Sequence, residues 1–127
     1  MRYLYFWQIT MANQTVDLDE LKDRLDGDKE LFLEICDVFF VDFDGHIVAM
    51  NEAITSKNSL ALREHAHTVK GALANLSVKG AAQIALELEK AGKDSKLENT
   101  PQLLSDLKEE AVRFEQFIQE VKSGKHW

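Results

Sequence analysis

The stretch LREHAHTVKGALANL, residues 62–76, decides the fold. Its apolar side chains recur at Leu62, Ala66, Val69, Leu73 and Leu76, three or four residues apart. That spacing lines them along one face of an α-helix and leaves nothing that alternates as a strand would. A second row, Arg63, His67, Lys70, Gly71 and Ala74, runs along one edge of the same helix, outside the buried stripe. Asn58 is placed to cap the helix at its start.

Reading outward, the neighbouring segments repeat the pattern. Upstream, Leu31, Phe32, Ile35, Val38, Phe39, Phe43, Ile47, Met50 and Ile54 predict one long helix from Lys29 to about Ser56, capped by Asp28. Phe39-Phe40-Val41 makes it wide, which predicts contact on more than one side. Gly45 costs about 1 kcal/mol relative to Ala in a helix, yet the periodicity resumes after it and the helix is expected to stay continuous. A short helix over Asp17–Leu25 precedes it, ended by the turn Asp26-Gly27. Downstream, Ser77 is expected to cap a helix that starts at Val78, uses Ala81, Ile84 or Ala85 and Leu88 as its core positions, and is closed by Gly92. Thr100-Pro101 marks the start of the last helix, with Thr100 as cap and Pro101 at the first helical position. Its inward positions are Leu103 or Leu104, Leu107, Ala111, Phe114, Phe117 or Ile118, and Val121, and Gly124 ends it. Four substantial helices with short connections predict an all-α, antiparallel four-helix bundle over residues 15–124, with a short additional N-terminal helix.

Composition agrees. A chain of 127 residues is one domain. Fifteen Lys and Arg against twenty-two Asp and Glu give a net charge of -7, which argues against nucleic acid or an anionic membrane as a partner. The lone cysteine, Cys36, excludes an intrachain disulfide and any all-cysteine metal site, and reads as a small buried residue. One proline and six glycines leave little room for a turn-rich sandwich or barrel. The first ten residues, MRYLYFWQIT, differ from the rest: they hold four aromatics and only one charge, Arg2. They are too short to span a bilayer and lack a cleavage site of the secretory kind, so a cytoplasmic location is expected. Residues 1–14 therefore read as an aromatic arm that packs on its own bundle or forms a homodimer with a neighbouring copy.

The edge row carries the chemistry. Histidine is a nucleophile near neutral pH, and a ring nitrogen can accept a phosphoryl group. Lys70, one turn on, and Arg63 supply cations for the added charge, while Gly71 leaves space for phosphoryl oxygens and a docking surface. No Gly-rich nucleotide loop and no kinase signature is present, so delivery and removal fall to other proteins. The spacing alone leaves an inert solvated edge as the competing reading. A metal shared by His65 and His67 is disfavoured, because positions two apart on a helix point in different directions. His46 is expected to be a half-buried, hydrogen-bonded residue, and His126 to lie at a frayed end.

Residues 66–89, AHTVKGALANLSVKGAAQIALELE, resemble the histidine-containing phosphotransfer (HPt) domain of phosphorelays. The family motif is a histidine followed by x-x-K-G and small residues. His67 matches its phosphorylated histidine, Lys70 and Gly71 its lysine and glycine, and Ala74, Asn75 and Leu76 its usual continuation. Leu88-Glu89 matches a common ending of the next helix, and GDKELFLEICDVFF, residues 27–40, resembles the family's second helix. Ser77 departs from the pattern, because many members carry glycine there. The resemblance implies a phosphocarrier, not an enzyme, that takes a phosphoryl group on His67 from a receiver-domain aspartate or a histidine kinase and passes it to a response regulator. It implies Lys70 for charge stabilisation, Gly71 for access, and Arg63, Ala74 and Asn75 as further phosphate or partner contacts. It implies no cofactor, with the metal ion on the partner receiver, and a basic spot around Arg63 and Lys70. An unphosphorylated adaptor or inhibitor using the same face, and the histidine-bearing part of a chemotaxis-type kinase, are the alternatives.

Overall fold

The computed structural model describes residues 15–127; the expected arm, its packing and its boundary at residue 14 lie outside the described residues. Five helices follow in order: α1 (Leu18–Arg24), α2 (Lys29–Thr55), α3 (Ser59–Asn75), α4 (Lys79–Asp94) and α5 (Thr100–Lys122). Helices α2 to α5 form the antiparallel bundle, α3 packing against both α2 and α4, and α5 closing the ring against α4 and α2. The short α1 lies at the end where α3 turns into α4, tied there by the Asp17 N–H donating to the Ser77 carbonyl at 2.9 Å. No strand occurs among the described residues, and none of their helices is long and apolar enough to cross a membrane.

The stripe read from α3 is the centre of the core: Leu62, Ala66, Val69, Leu73 and Leu76 are all at most 3% exposed. Each large aliphatic side chain buried in this way contributes roughly 1.5–3 kcal/mol. From α5, Leu104, Leu107, Ala111, Phe114, Phe117, Ile118 and Val121 meet it. Helix α2 runs unbroken through Gly45 and buries Phe32, Cys36, Phe39, Phe43, Met50 and Ala53. Two of its expected inward residues lie outside the core, Leu31 at 39% and Val38 at 65% exposure. They line the groove between α2 and α3 together with Thr68, Ala72, Asn75 and Leu76. The wide stretch does reach two neighbours, Phe39 lining the groove toward α3 and Phe40 packing on Phe114 of α5 with ring centroids 5.7 Å apart, while Val41 is 77% exposed. Burial pushes the Cys36 thiol up to about 12, which keeps it protonated and inert.

Three helices begin on the predicted kind of cap. The N–H groups of Glu20, Leu31 and Ala61 donate to the side chains of Asp17, Asp28 and Asn58. The helix ends correct two expectations. Ser77 does not cap α4. It ends α3 in the left-handed region (φ 58°), with the Val78 N–H donating to the Leu73 carbonyl and its own N–H to that of Ala74. A side chain there costs roughly 1–2 kcal/mol. The buried Ser77 hydroxyl offsets that cost by donating to Glu20 Oε1 at 3.1 Å. Lys79, and next Ser77, hold the Glu20 carboxyl below the usual carboxylate range, so the acceptor is an anion. Nor does Gly92 close α4: the helix runs on to Asp94 and ends on Ser95 at φ 54°, with Gly92 buried against the backbone of α3.

Two further expectations fail near the C-terminal helix. Thr100 is the buried first residue of α5, not its cap, and its hydroxyl donates to the Leu97 carbonyl at 2.6 Å; Asn99 holds the cap position. Pro101 follows in the first turn, where the missing N–H is no loss. The chain end does not fray at His126. That ring stacks on Phe117 at 4.8 Å, and Trp127 stacks on Phe32 while its indole N–H donates to the Gly27 carbonyl at 2.8 Å.

Candidate functional site

With its register set by the Asn58 cap and the buried stripe, α3 holds the His67 ring outward, its side chain 66% exposed. On the neighbouring α4, Ala81, Ala85, Leu88 and Gly92 face inward, which turns Glu89 toward the seam with α3. The Glu89 carboxylate bridges two residues of the edge row. Its Oε2 lies 2.6 Å from His67 Nδ1, and its Oε1 accepts from Lys70 Nζ at 2.6 Å. Lys70, with bound Glu89 beneath it, is about 29% exposed and Glu89 17%.

This geometry settles the tautomer. Lys70 first, and His67 after it, hold the Glu89 carboxyl below the usual carboxylate range against the opposing pull of burial. An ionised carboxylate only accepts hydrogen bonds, so Nδ1 carries the hydrogen and donates it. The lone pair of the neutral ring then belongs to Nε2, on the side away from Glu89.

The other residues of the row are spread along the ridge. Arg63 lies exposed in the same shallow depression as His67, with Leu60, Glu64, Thr68 and Glu89. Gly71 is exposed, and a Cβ built on it would meet nothing within 4 Å. Ala74 lines a different depression with Lys70, Lys79 and Leu86. Asn75 stands on the opposite shoulder, over the groove between α2 and α3, and is not brought to His67. His65 and His67 point to different partners: His65 Nδ1 lies 2.9 Å from His46 Nδ1 on α2, which makes His46 the half-buried, bonded residue expected of it. No group of three or more metal-ligating side chains occurs among the described residues.

A model of the Hpt domain family matches residues 34–124. The chain belongs to the Hpt domain family. Its role is histidine phosphotransfer in two-component signalling, in which Hpt domains are phosphocarriers that interact with receiver domains and kinases. No curated protein matches the chain. Among solved structures, the crystal structure of histidine-containing phosphotransfer protein B (HptB) from Pseudomonas aeruginosa PAO1 is similar, with a TM-score of 0.72. The match covers 88% of this chain and 98% of that one at 24% identity, and so concerns the fold.

Two features of this Hpt domain were not visible in its sequence. Glu89 stood out only as part of a matching helix ending. A glutamate on a polar helix face looks solvated until the crossing of α3 and α4 is known. The second is the charge of the site: Lys70 is paired with Glu89, and Glu64 lies beside Arg63 in the depression that holds His67.

Proposed function

We propose that this Hpt domain takes its phosphoryl group on Nε2 of His67, from a receiver aspartate or a histidine kinase, and passes it to the receiver of a response regulator. The observation that carries the reading is an exposed imidazole whose Nδ1–H is held by an ionised carboxylate, leaving Nε2 free toward solvent. In the forward step the Nε2 lone pair attacks phosphorus in line with the aspartyl oxygen. The N–P bond forms, the P–O bond breaks, and the aspartate leaves as a carboxylate. The ring becomes cationic, its Nδ1–H remains on Glu89, and the carboxylate stabilises the new charge. Transfer onward reverses these changes. A metal ion for this chemistry would belong to the receiver.

Lys70 acts in this reading through Glu89, which it fixes in place, and supplies positive charge one turn from the transferred group. Glu89 is a positioning residue. Glu89→Gln keeps the size but offers one acceptor oxygen where two are used, so it cannot hold both Nδ1–H and the ammonium. Transfer from a phosphorylated receiver is expected to slow by about 10- to 100-fold, as when the hydrogen-bond partner behind a working imidazole is removed. The ring's 15N shifts should show a mixture of tautomers in place of one. Sign matters for pH: a carboxylate held below its usual range keeps the site ordered above that range and releases it as pH falls through the lowered pKa. In the variant that acid limb should vanish. An unchanged rate and a single Nδ1–H tautomer in Glu89→Gln would remove Glu89 from the mechanism.

Gly71 separates partner access from folding. Alanine there meets no atom of its own chain and gains about 1 kcal/mol of helix stability. Gly71→Ala is thus expected to melt higher while transferring more slowly, because its methyl stands where the receiver approaches. A more stable variant with unaltered transfer would take Gly71 out of the docking face.

A further inference from the structure

The depression around His67, about 500 Å³ in volume, is lined by Leu60, Arg63, Glu64, Thr68 and Glu89. One of its charged groups is already engaged, since Glu89 holds both His67 Nδ1 and the Lys70 ammonium. Arg63 and Glu64 stand one turn before His67, are exposed, and form no ion pair among the described residues. Leu60 lies two turns before His67 on the same face of α3 and is 62% exposed. It is the one large apolar side chain that α3 leaves open. In the other direction from His67 the ridge carries exposed Gly71 and Ala74, which offer almost no side chain.

We propose that Leu60 and Glu64 are the residues with which this domain selects its receiver. The proposal rests on the phosphotransfer reading of His67. A receiver that brings its aspartate to Nε2 of His67 is centred on that ring. A standard interface covers about 800 Å² on each partner, a disc roughly 16 Å in radius. Leu60 is two helical turns away, about 10.5 Å along the axis, and so falls inside the footprint. There the receiver has to cover an open leucine and meet two charges of opposite sign that nothing in their own chain neutralises. The matching receiver sets an apolar side chain on Leu60, a cation against Glu64 and an anion against Arg63. A receiver with an acid facing Glu64 brings like charges together and is rejected, because such a mismatch costs more than an exposed pair returns. Gly71 and Ala74 admit both kinds of receiver alike, so discrimination falls to the N-terminal half of α3.

The test uses the full chain and two kinds of phosphoryl donor: phosphoramidate, which has no docking surface, and a panel of purified, phosphorylated receiver domains. In Leu60→Asp, kcat/KM with the receiver that labels the parent fastest is expected to fall at least about tenfold, with the loss in KM, because binding common to ground and transition states is removed. Uptake from phosphoramidate should stay within about twofold of the parent, since the new charge stands about one Debye length from His67 at 0.1 M salt. The melting temperature should not change. Glu64→Lys should reorder the panel, slowing the fastest receiver about tenfold and speeding at least one of the slow ones. Leu60→Asp that transfers as the parent does overturns the proposal, and so does a panel whose order survives Glu64→Lys. An equal loss with phosphoramidate overturns it too, because the residue then acts on His67 and not on the partner. A parent chain that takes label from neither donor overturns the phosphotransfer reading itself, and the proposal falls with it.

Discussion

Replacing His67 with glutamine abolishes phosphoryl uptake from a phosphorylated receiver domain and leaves the bundle intact. The loss is expected to be complete, because an amide nitrogen has no lone pair available for attack on phosphorus. The fold is insulated from the change. His67 is 66% exposed and outside the core, and a glutamine amide can still donate to Glu89, so stability should move by no more than about 0.5 kcal/mol. The measurement is acid-labile label on the intact protein after mixing with a labelled receiver, alongside a denaturation curve. The other three imidazoles differ from His67 in setting: His46 and His65 are half-buried, and His126 has its Nε2 against a carboxylate. His46 and His65 hold each other through Nδ1, and His126 stacks on Phe117 and contacts Glu120. Label that persists in His67→Gln moves the acceptor to one of them and ends the mechanism given for His67.

Why His67 could be singled out in the sequence, and Glu89 could not, has a physical cause. The face of a helix on which a residue lies follows from its spacing to apolar neighbours on the same helix. The stripe from Leu62 to Leu76 therefore placed His67, Lys70 and Gly71 on the outer edge with no knowledge of the rest of the chain. Glu89 meets His67 only because two helices cross at one register, and neither helix carries that register in its own pattern. The same division runs through the fold. Caps at Asp28 and Asn58 are local and legible; the role of Ser77 is not, because it depends on Glu20 of α1. Leu31 and Val38 have core spacing, yet they stay exposed on the edge of the groove between α2 and α3, because spacing on one helix does not say how far the next helix reaches over it. Gly92 reads as a helix end in the sequence because a glycine inside the last turn looks the same until the facing backbone is seen.

That glycine sets the distance on which the site depends, and Gly92→Ala is expected to damage both stability and transfer. A Cβ at 92 would lie 2.8 Å from the Arg63 nitrogen and the Ser59 carbonyl oxygen, and 3.0 Å from Arg63 Cα. These are backbone atoms of α3, which cannot rotate aside as a side chain would, so α3 and α4 must separate. Overpacking of this kind costs about 1–3 kcal/mol, here at the upper end, and alanine's better helix propensity returns about 1. The net loss of about 2 kcal/mol corresponds to a melting temperature roughly 8 °C lower for a bundle of this size. Function should fall further than stability explains. Arg63 is one turn before His67 on α3 and Gly92 one turn after Glu89 on α4, so the displaced contact adjoins the 2.6 Å bond between His67 and Glu89. Parting the helices there frees the ring, and the folded fraction of Gly92→Ala should transfer more slowly than the parent, with mixed imidazole tautomers in its 15N spectrum. A variant that melts with the parent and keeps one tautomer would show that α3 and α4 approach less closely in solution. The pairing of His67 with Glu89 would then need another cause.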